Sequence, residues 1–180
     1  METNYLNQVA SEVSDVLSNV SYQKVETLAS YFLKSKRIFI DGEGRSGFVG
    51  KCFAMRLMHL GFEVYVMGET NTPSFSAGDV YVSISGSGNT APVLLNADKA
   101  KKKAAILLSI NGNLDSKLSE MSDYSILVPA TTRQQLENRQ SIQLLGSLFD
   151  QSVHLLLDTV CLIISEKENI SNTEAVQRHI

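Results

Sequence analysis

Among its 180 residues the chain has two cysteines, three prolines, no tryptophan and no excess of positive charge. Cys52 and Cys161 stand in apolar helical patterns with no CxxC or Cys/His spacing, which argues against a disulfide scaffold or a structural zinc site and predicts two buried thiols in a reducing cytosol. Sixteen Lys and Arg against nineteen Asp and Glu leave a net charge of -3, so there is no overall basic field to hold nucleic acid or an anionic membrane. No long hydrophobic run is present either: the most apolar stretch, Leu155 to Ile164, is interrupted by Asp158 and is shorter than the roughly 20 residues that cross a bilayer. The opening METNYLNQVASEVSDVL lacks the basic and apolar regions of a signal peptide. Together these absences predict a soluble, cytoplasmic protein that binds neither nucleic acid nor membrane.

What is present is a hydrophobic content of 43%, enough for one well-buried core and short for two, so residues 1–180 are expected to form a single domain. Residues 4–18 and 22–35 carry apolar side chains at helical spacing, joined by turn and cap residues at Asn19 to Ser21, so residues 1–36 read as N-terminal helices. RIFIDG at 37–42 is a β-branched and aromatic run closed by glycine, and residues 46–60 return to helical spacing. EVYVM at 63–67, DVYVSIS at 79–85, AAILLSI at 104–110 and YSILV at 124–128 supply four more strands, with a helix over about 91–102. Five strands within residues 37–128, separated by helical segments, imply right-handed crossovers and a parallel sheet covered on both faces, a three-layer α/β/α sandwich. A polar stretch without periodicity from Pro129 to Gln140 reads as a loop at the carboxyl end of the last strand. The segment from 141 to 168 carries an apolar stripe wide enough to be buried on more than one side and reads as a long C-terminal helix. The run Lys101 to Lys103 ends a helix, where cations suit the dipole.

Two glycine-rich turns carry the chemistry. Gly42, Gly44 and Gly47 form GxGxxG after a strand and before a helix, so a dinucleotide fold has to be weighed, with Glu69 after the second strand as a possible ribose partner; a tight turn with close helix packing explains the same glycines. The second turn, Ser85-Gly86-Ser87-Gly88-Asn89-Thr90, also ends a strand and opens a helix, which a dinucleotide fold does not predict. Its three hydroxyls, its inward-turning N–H groups and the positive end of the following helix make a cradle for one phosphate. Helix capping by Thr90 alone accounts for one hydroxyl and leaves two.

SGSGNT resembles the phosphate loop of the sugar isomerase (SIS) domain. With Gly44-Arg45-Ser46-Gly47, the run Ala54 to Gly61 (AMRLMHLG), Gly68-Glu69-Thr70-Asn71-Thr72-Pro73, Gly146-Ser147-Leu148-Phe149 and Arg178-His179, nearly the whole chain resembles the 6-phospho-3-hexuloisomerases. The resemblance implies a flavodoxin-like sheet, a homotetramer, no metal or organic cofactor, and interconversion of 3-hexulose 6-phosphate with fructose 6-phosphate, the step that follows aldol fixation of formaldehyde in the ribulose monophosphate pathway. It implies that Gly44, Ser46, Ser85, Ser87 and Thr90 hold the phosphate and sugar, with Arg45 neutralising charge or polarising substrate oxygens; a surface ion pair is the plainer role for Arg45.

Moving a ketone from C3 to C2 needs a base for the C2 proton and a stabiliser for the cis-enediolate. The resemblance places a catalytic Glu after Leu-Phe, where this chain has Asp150. Its carboxylate is shorter in reach by about 1.5 Å, and a misplacement of about 1 Å can cost on the order of 100-fold in rate. A non-catalytic phosphosugar-binding or regulatory protein of the same family is therefore the competing reading, and a small nucleotide-binding protein a weaker one. His59, within AMRLMHLG, suits proton shuttling or ring opening, or packs structurally. His154, one turn after Asp150, reads as a packed or capping imidazole. His179 either completes a neighbouring subunit's pocket or frays, and Glu69 shapes the pocket.

Overall fold

Alternation along the strands divides the core in two. Ile38 and Ile40 of β1 (Ile38–Gly42), Val80, Val82 and Ile84 of β3 (Val80–Ser85), and Leu108 and Ile110 of β4 (Ile106–Asn111) face one layer. Phe39, Tyr81 and Leu107 face the other, as a period of two requires. In a computed structural model describing residues 4–131 and 141–179, these strands join β2 (Val64–Val66) and β5 (Tyr124–Leu127) in one parallel sheet of order β2-β1-β3-β4-β5. This is the flavodoxin-like order. Side chains of α1 (Tyr5–Ser18), α2 (Tyr22–Leu33), α3 (Gly44–His59) and α6 (Ser147–Glu168) build the larger core, while α4 (Ala91–Lys102) and α5 (Lys117–Met121) cover the opposite face. A last short helix, α7, spans Asn172–Gln177.

Several boundaries differ from those the sequence predicts, each for a local reason. Helix α3 starts at Gly44 and not at 46, so the Gly-Arg-Ser-Gly run is itself the helix's first turn. Strand β4 starts at Ile106 and not at 104, because Ala104 has a φ of 56° and the Ala105 N–H donates to the Ala100 carbonyl, closing α4 first. The C-terminal helix begins at 147 and not at 141: Leu145 has a φ of 55°, and Leu144 and Leu145 point outward instead of extending the buried stripe. Short α5 and α7, each opened by a serine cap, were too brief to show periodicity. Residues 132–140 of the expected loop lie outside the described residues, and 128–131 are neither helix nor strand. Cys161 is buried, but Cys52 is exposed, because α3 buries Gly50, Phe53, Ala54 and Leu57 and position 52 falls off that face.

Helix α6 is the element that brings the last site residue to the sheet. Its 22 residues are long and apolar enough, by length and composition alone, to cross a membrane, which corrects the expectation of a run too short to do so. Leu148, Phe149, Val153, Leu156, Leu157, Val160 and Ile164 are instead buried in the larger core, where the helix packs on α1, α2 and α3. Replacing Leu156, 2% exposed, with Ala should destabilise the fold by about 2–5 kcal/mol in urea titration. A loss under about 0.5 kcal/mol, the level of an ordinary surface change, would mean that α6 does not pack by this face.

Candidate active site

The sheet order reverses between β1 and β3, and Gly42 pairs with Ile84 at their carboxyl ends. Open parallel sheets bind ligands at such a switch point. Both glycine-rich turns leave the sheet there, side by side.

The second turn is held in shape by its own polar groups. Ser85 and Thr90 hydroxyls bond to each other at 2.9 Å, the Gly88 N–H donates to the Ser85 hydroxyl at 3.2 Å, and the Asn89 N–H donates to the Ser87 hydroxyl at 3.1 Å. Thr90 is the N-cap residue of α4, but its side chain makes no capping bond; the capping explanation of this hydroxyl therefore fails, and the first α4 N–H groups keep no side-chain acceptor from the cap. From outside, the Leu118 N–H donates to the Gly88 carbonyl at 3.0 Å and the Gly112 N–H to the Gly86 carbonyl at 3.1 Å. Gly88 has a φ of 64°, and a Cβ there would lie 2.0 Å from the Ser116 hydroxyl, so glycine is required by conformation and by space.

The first turn meets the N-terminus of α6. Asp150 projects from the first turn of that helix with its side chain 10% exposed. The Ser46 hydroxyl donates to Oδ1 at 3.2 Å, and Nε of Arg45 lies 3.1 Å from Oδ2. A second Arg45 nitrogen donates to the Ser147 hydroxyl at 2.7 Å. Despite its shorter side chain, the aspartate thus reaches the turn. Burial pushes its carboxyl above the usual range, while the Arg45 charge and the Ser46 bond pull it partly back. A buried carboxylate beside a half-exposed guanidinium and a hydroxyl can accept a proton from carbon and stabilise neighbouring oxygens. The Arg45 pair is one-sided, exposed only at the guanidinium.

The histidines lie elsewhere. His59 closes α3, fourteen positions after Arg45, about 21 Å away at 1.5 Å per residue. His179 stacks on it with ring centroids 4.9 Å apart, and Arg178 donates to the His59 carbonyl at 3.1 Å, so the tail is docked at the far end of the helix. Desolvation, then the nearby His179 and Arg56, hold the His59 imidazole below its ordinary pKa. His154 lines a groove between α1 and α6, with Nε2 3.8 Å from Asp158. Glu69 is ion-paired to Lys51 at 2.8 Å on the surface, and that bond lowers its carboxyl pKa. Among the described residues no group of His, Cys, Asp and Glu could hold a metal ion. Ser147, which orients Arg45, stands in the sequence only as part of the family-like run Gly146-Ser147-Leu148-Phe149 and received no role there, because a lone serine at a helix start carries no periodic signal.

The SIS domain model matches residues 31–155. The 3-hexulose-6-phosphate isomerase of Mycobacterium gastri is 37% identical over 177 residues, covering 98% of this chain and 89% of the relative. The 3-hexulose-6-phosphate isomerase of Bacillus subtilis (strain 168) is 34% identical over 178 residues, covering 98% and 96%. The crystal structure of a Methanococcus jannaschii protein, from which a molecular function of 3-hexulose-6-phosphate isomerase was inferred, superposes with a TM-score of 0.84 at 35% identity, covering 98% of this chain and 97% of that one.

If the second turn holds a phosphate, Ser87→Ala with Thr90→Ala should weaken fructose 6-phosphate binding by roughly 1.5–3 kcal/mol per charge-assisted bond lost. Calorimetric titration measures it, and unchanged affinity in the double variant would remove this turn from the site.

Proposed function

Because the chain belongs to the SIS domain family, we propose that it is a sugar-phosphate isomerase interconverting 3-hexulose 6-phosphate and fructose 6-phosphate through a cis-enediolate. The observation that carries the reading is the buried Asp150 carboxylate, bonded to Ser46 and Arg45 at the switch point where the hydroxyl-rich turn also begins. Full-length relatives named 3-hexulose-6-phosphate isomerase support the same reaction.

In this reading Ser85, Ser87, Thr90 and the first N–H groups of α4 bind the C6 phosphate, whose binding energy orients the reacting carbons. Asp150 takes the proton from C2, next to the C3 ketone. Electrons of the broken C–H bond form the C2–C3 double bond, and the former carbonyl oxygen at C3 takes up the charge. Arg45 and Ser46, with the Gly44 turn, stabilise that charge. As the O2 proton passes to O3, Asp150 returns its proton to C3, leaving the ketone at C2. A single base suffices because C2 and C3 of a cis-enediolate present the same face.

The proposal extends to a cytoplasmic homotetramer acting after formaldehyde fixation in the ribulose monophosphate pathway. Support for assembly comes from the groove of about 800 Å³ between α1 and α6, where Leu6 is 83% and Leu155 46% exposed. Apolar faces of this kind mark association surfaces. His59 and His179 lie too far from Asp150 to join it within one chain, so in this reading they serve a neighbouring subunit's site. Light scattering should give a mass near four chains; a monomer at micromolar concentration would overturn both statements.

Asp150→Asn keeps the shape and removes the proton acceptor, so kcat should fall by more than about 100-fold with little change in substrate affinity, whereas Asp150→Glu should retain or raise turnover. A protein that only binds phosphosugars would bind fructose 6-phosphate without exchanging its C3 proton with deuterated water. The pH profile provides an independent check. The working base is ionised, and its raised pKa places the acid limb of kcat/KM above the ordinary carboxylate range. Arg45→Ala removes a charge that lowers that pKa, so the limb should move to higher pH; movement to lower pH would exclude Asp150 as the base.

A further inference from the structure

We propose that Asp41 is a positioning residue whose buried carboxylate sets the span between the Arg45–Ser46 turn and the Ser85–Thr90 turn, and with it the separation of reacting carbons and phosphate. The claim rests on the isomerase reading for its kinetic consequence, but not for its structural one.

Asp41 is 6% exposed and lies one residue before the first turn, on the face of the sheet covered by α4. Oδ1 accepts the Gly42 N–H at 2.8 Å, fixing the peptide at which β1 leaves the sheet. Oδ2 accepts the Tyr81 hydroxyl at 2.6 Å and the Asn96 side-chain amide at 3.0 Å. Tyr81 sits on β3, four residues before the second turn begins, and Asn96 on α4, the helix that this turn opens. One carboxylate therefore ties together the strand and the helix on either side of the phosphate turn and the start of the turn opposite. The Tyr81 oxygen also lies 3.1 Å from the Val93 carbonyl, but its single proton belongs to the shorter, charged partner. Burial and the Asp41 charge raise the tyrosine pKa far above its ordinary value, so it remains a donor.

Burying a carboxylate here costs free energy unless hydrogen bonds compensate it. Core filling alone does not require one: the same face of the sheet is filled two residues earlier by Phe39 and Leu107. What a carboxylate adds is acceptance of three donors from three elements at once, with lengths that do not slide as apolar contacts do.

The test compares two ligands. Inorganic phosphate touches one turn, and fructose 6-phosphate spans both. Asp41→Asn keeps the size and can keep the Gly42 bond, but sets its amide against that of Asn96. Fructose 6-phosphate affinity should fall about 10-fold or more relative to phosphate affinity, and kcat by about 10- to 100-fold. The exchanged pair, Asp41→Asn with Asn96→Asp, restores the bond with donor and acceptor reversed and should recover at least half of each loss on a logarithmic scale. Tyr81→Phe removes one tie and should shift the affinity ratio in the same direction by less, providing a readout if Asp41→Asn folds poorly. Parallel loss of both affinities with no recovery in the exchanged pair would overturn the proposal, as would turnover and affinity ratio both within twofold of wild type. A wild-type protein without turnover would defeat the isomerase reading, while the ratio of the two affinities would still decide the role of Asp41.

Discussion

The arrangement at the carboxyl edge of the sheet depends on how closely the first turn of α3 can approach the end of β1. A Cβ on Gly47 would lie 2.4 Å from the Gly42 carbonyl oxygen, well inside contact distance. Because glycine stands there, the helix starts directly on the strand and its first turn, with Arg45 and Ser46, points over the switch point. The parallel register of β1 with β3 then sets Gly42 opposite Ile84, and the second turn follows one residue later. A bulkier residue at 47 would push the helix away, separating Arg45 and Ser46 from Asp150 even if every strand paired as before.

A second constraint is the change of character along one face of the sheet. On the side covered by α4 and α5, the strands begin with Phe39, Tyr81 and Leu107, and end with Asp41, Ser83 and Ser85, and Ser109 and Asn111. These polar groups are buried but bonded: Ser83 to the Leu108 carbonyl, Ser109 to Ser125 at 2.7 Å, and Asn111 to Ser109 at 3.1 Å. On the other side Ile40, Ile84 and Ile110 keep the face apolar to the strand ends. Stability is thus concentrated at one end and on one face, while hydrogen-bonded groups able to specify a fixed geometry gather beneath the site.

The balance at Asp150 follows from the same layering. Phe149 and Val153 on α6 are drawn into the apolar core, and their burial takes Asp150 out of water with them. Its partners come from a different element, the exposed start of α3. Desolvation raising the pKa and charge pairing lowering it therefore have separate structural origins.

Strand number, parallel pairing and both glycine turns were legible in the sequence, because each is a local pattern: short β-branched runs, helical spacing between them, and glycines at strand ends. The hydroxyl-rich turn could be read as a phosphate cradle because its six consecutive residues make its shape largely by themselves. Asp150 could be named only through family resemblance, since nothing in the residues around it states that α6 will dock its first turn on residues 45 and 46, more than a hundred positions earlier. The helical spacing over 46–60 already put His59 at the far end of its helix, but only the docking of Asp150 on Ser46 and Arg45 at the other end separates the two candidates. What the sequence by itself determined was the set of local conformations, governed by periodicity, propensity and the absence of Cβ. Which carboxylate meets which turn, the exposure of Cys52 and the docking of His179 on His59 were decided by long-range packing, where burial of one helix face carries its polar neighbours to positions that no nearby residue specifies.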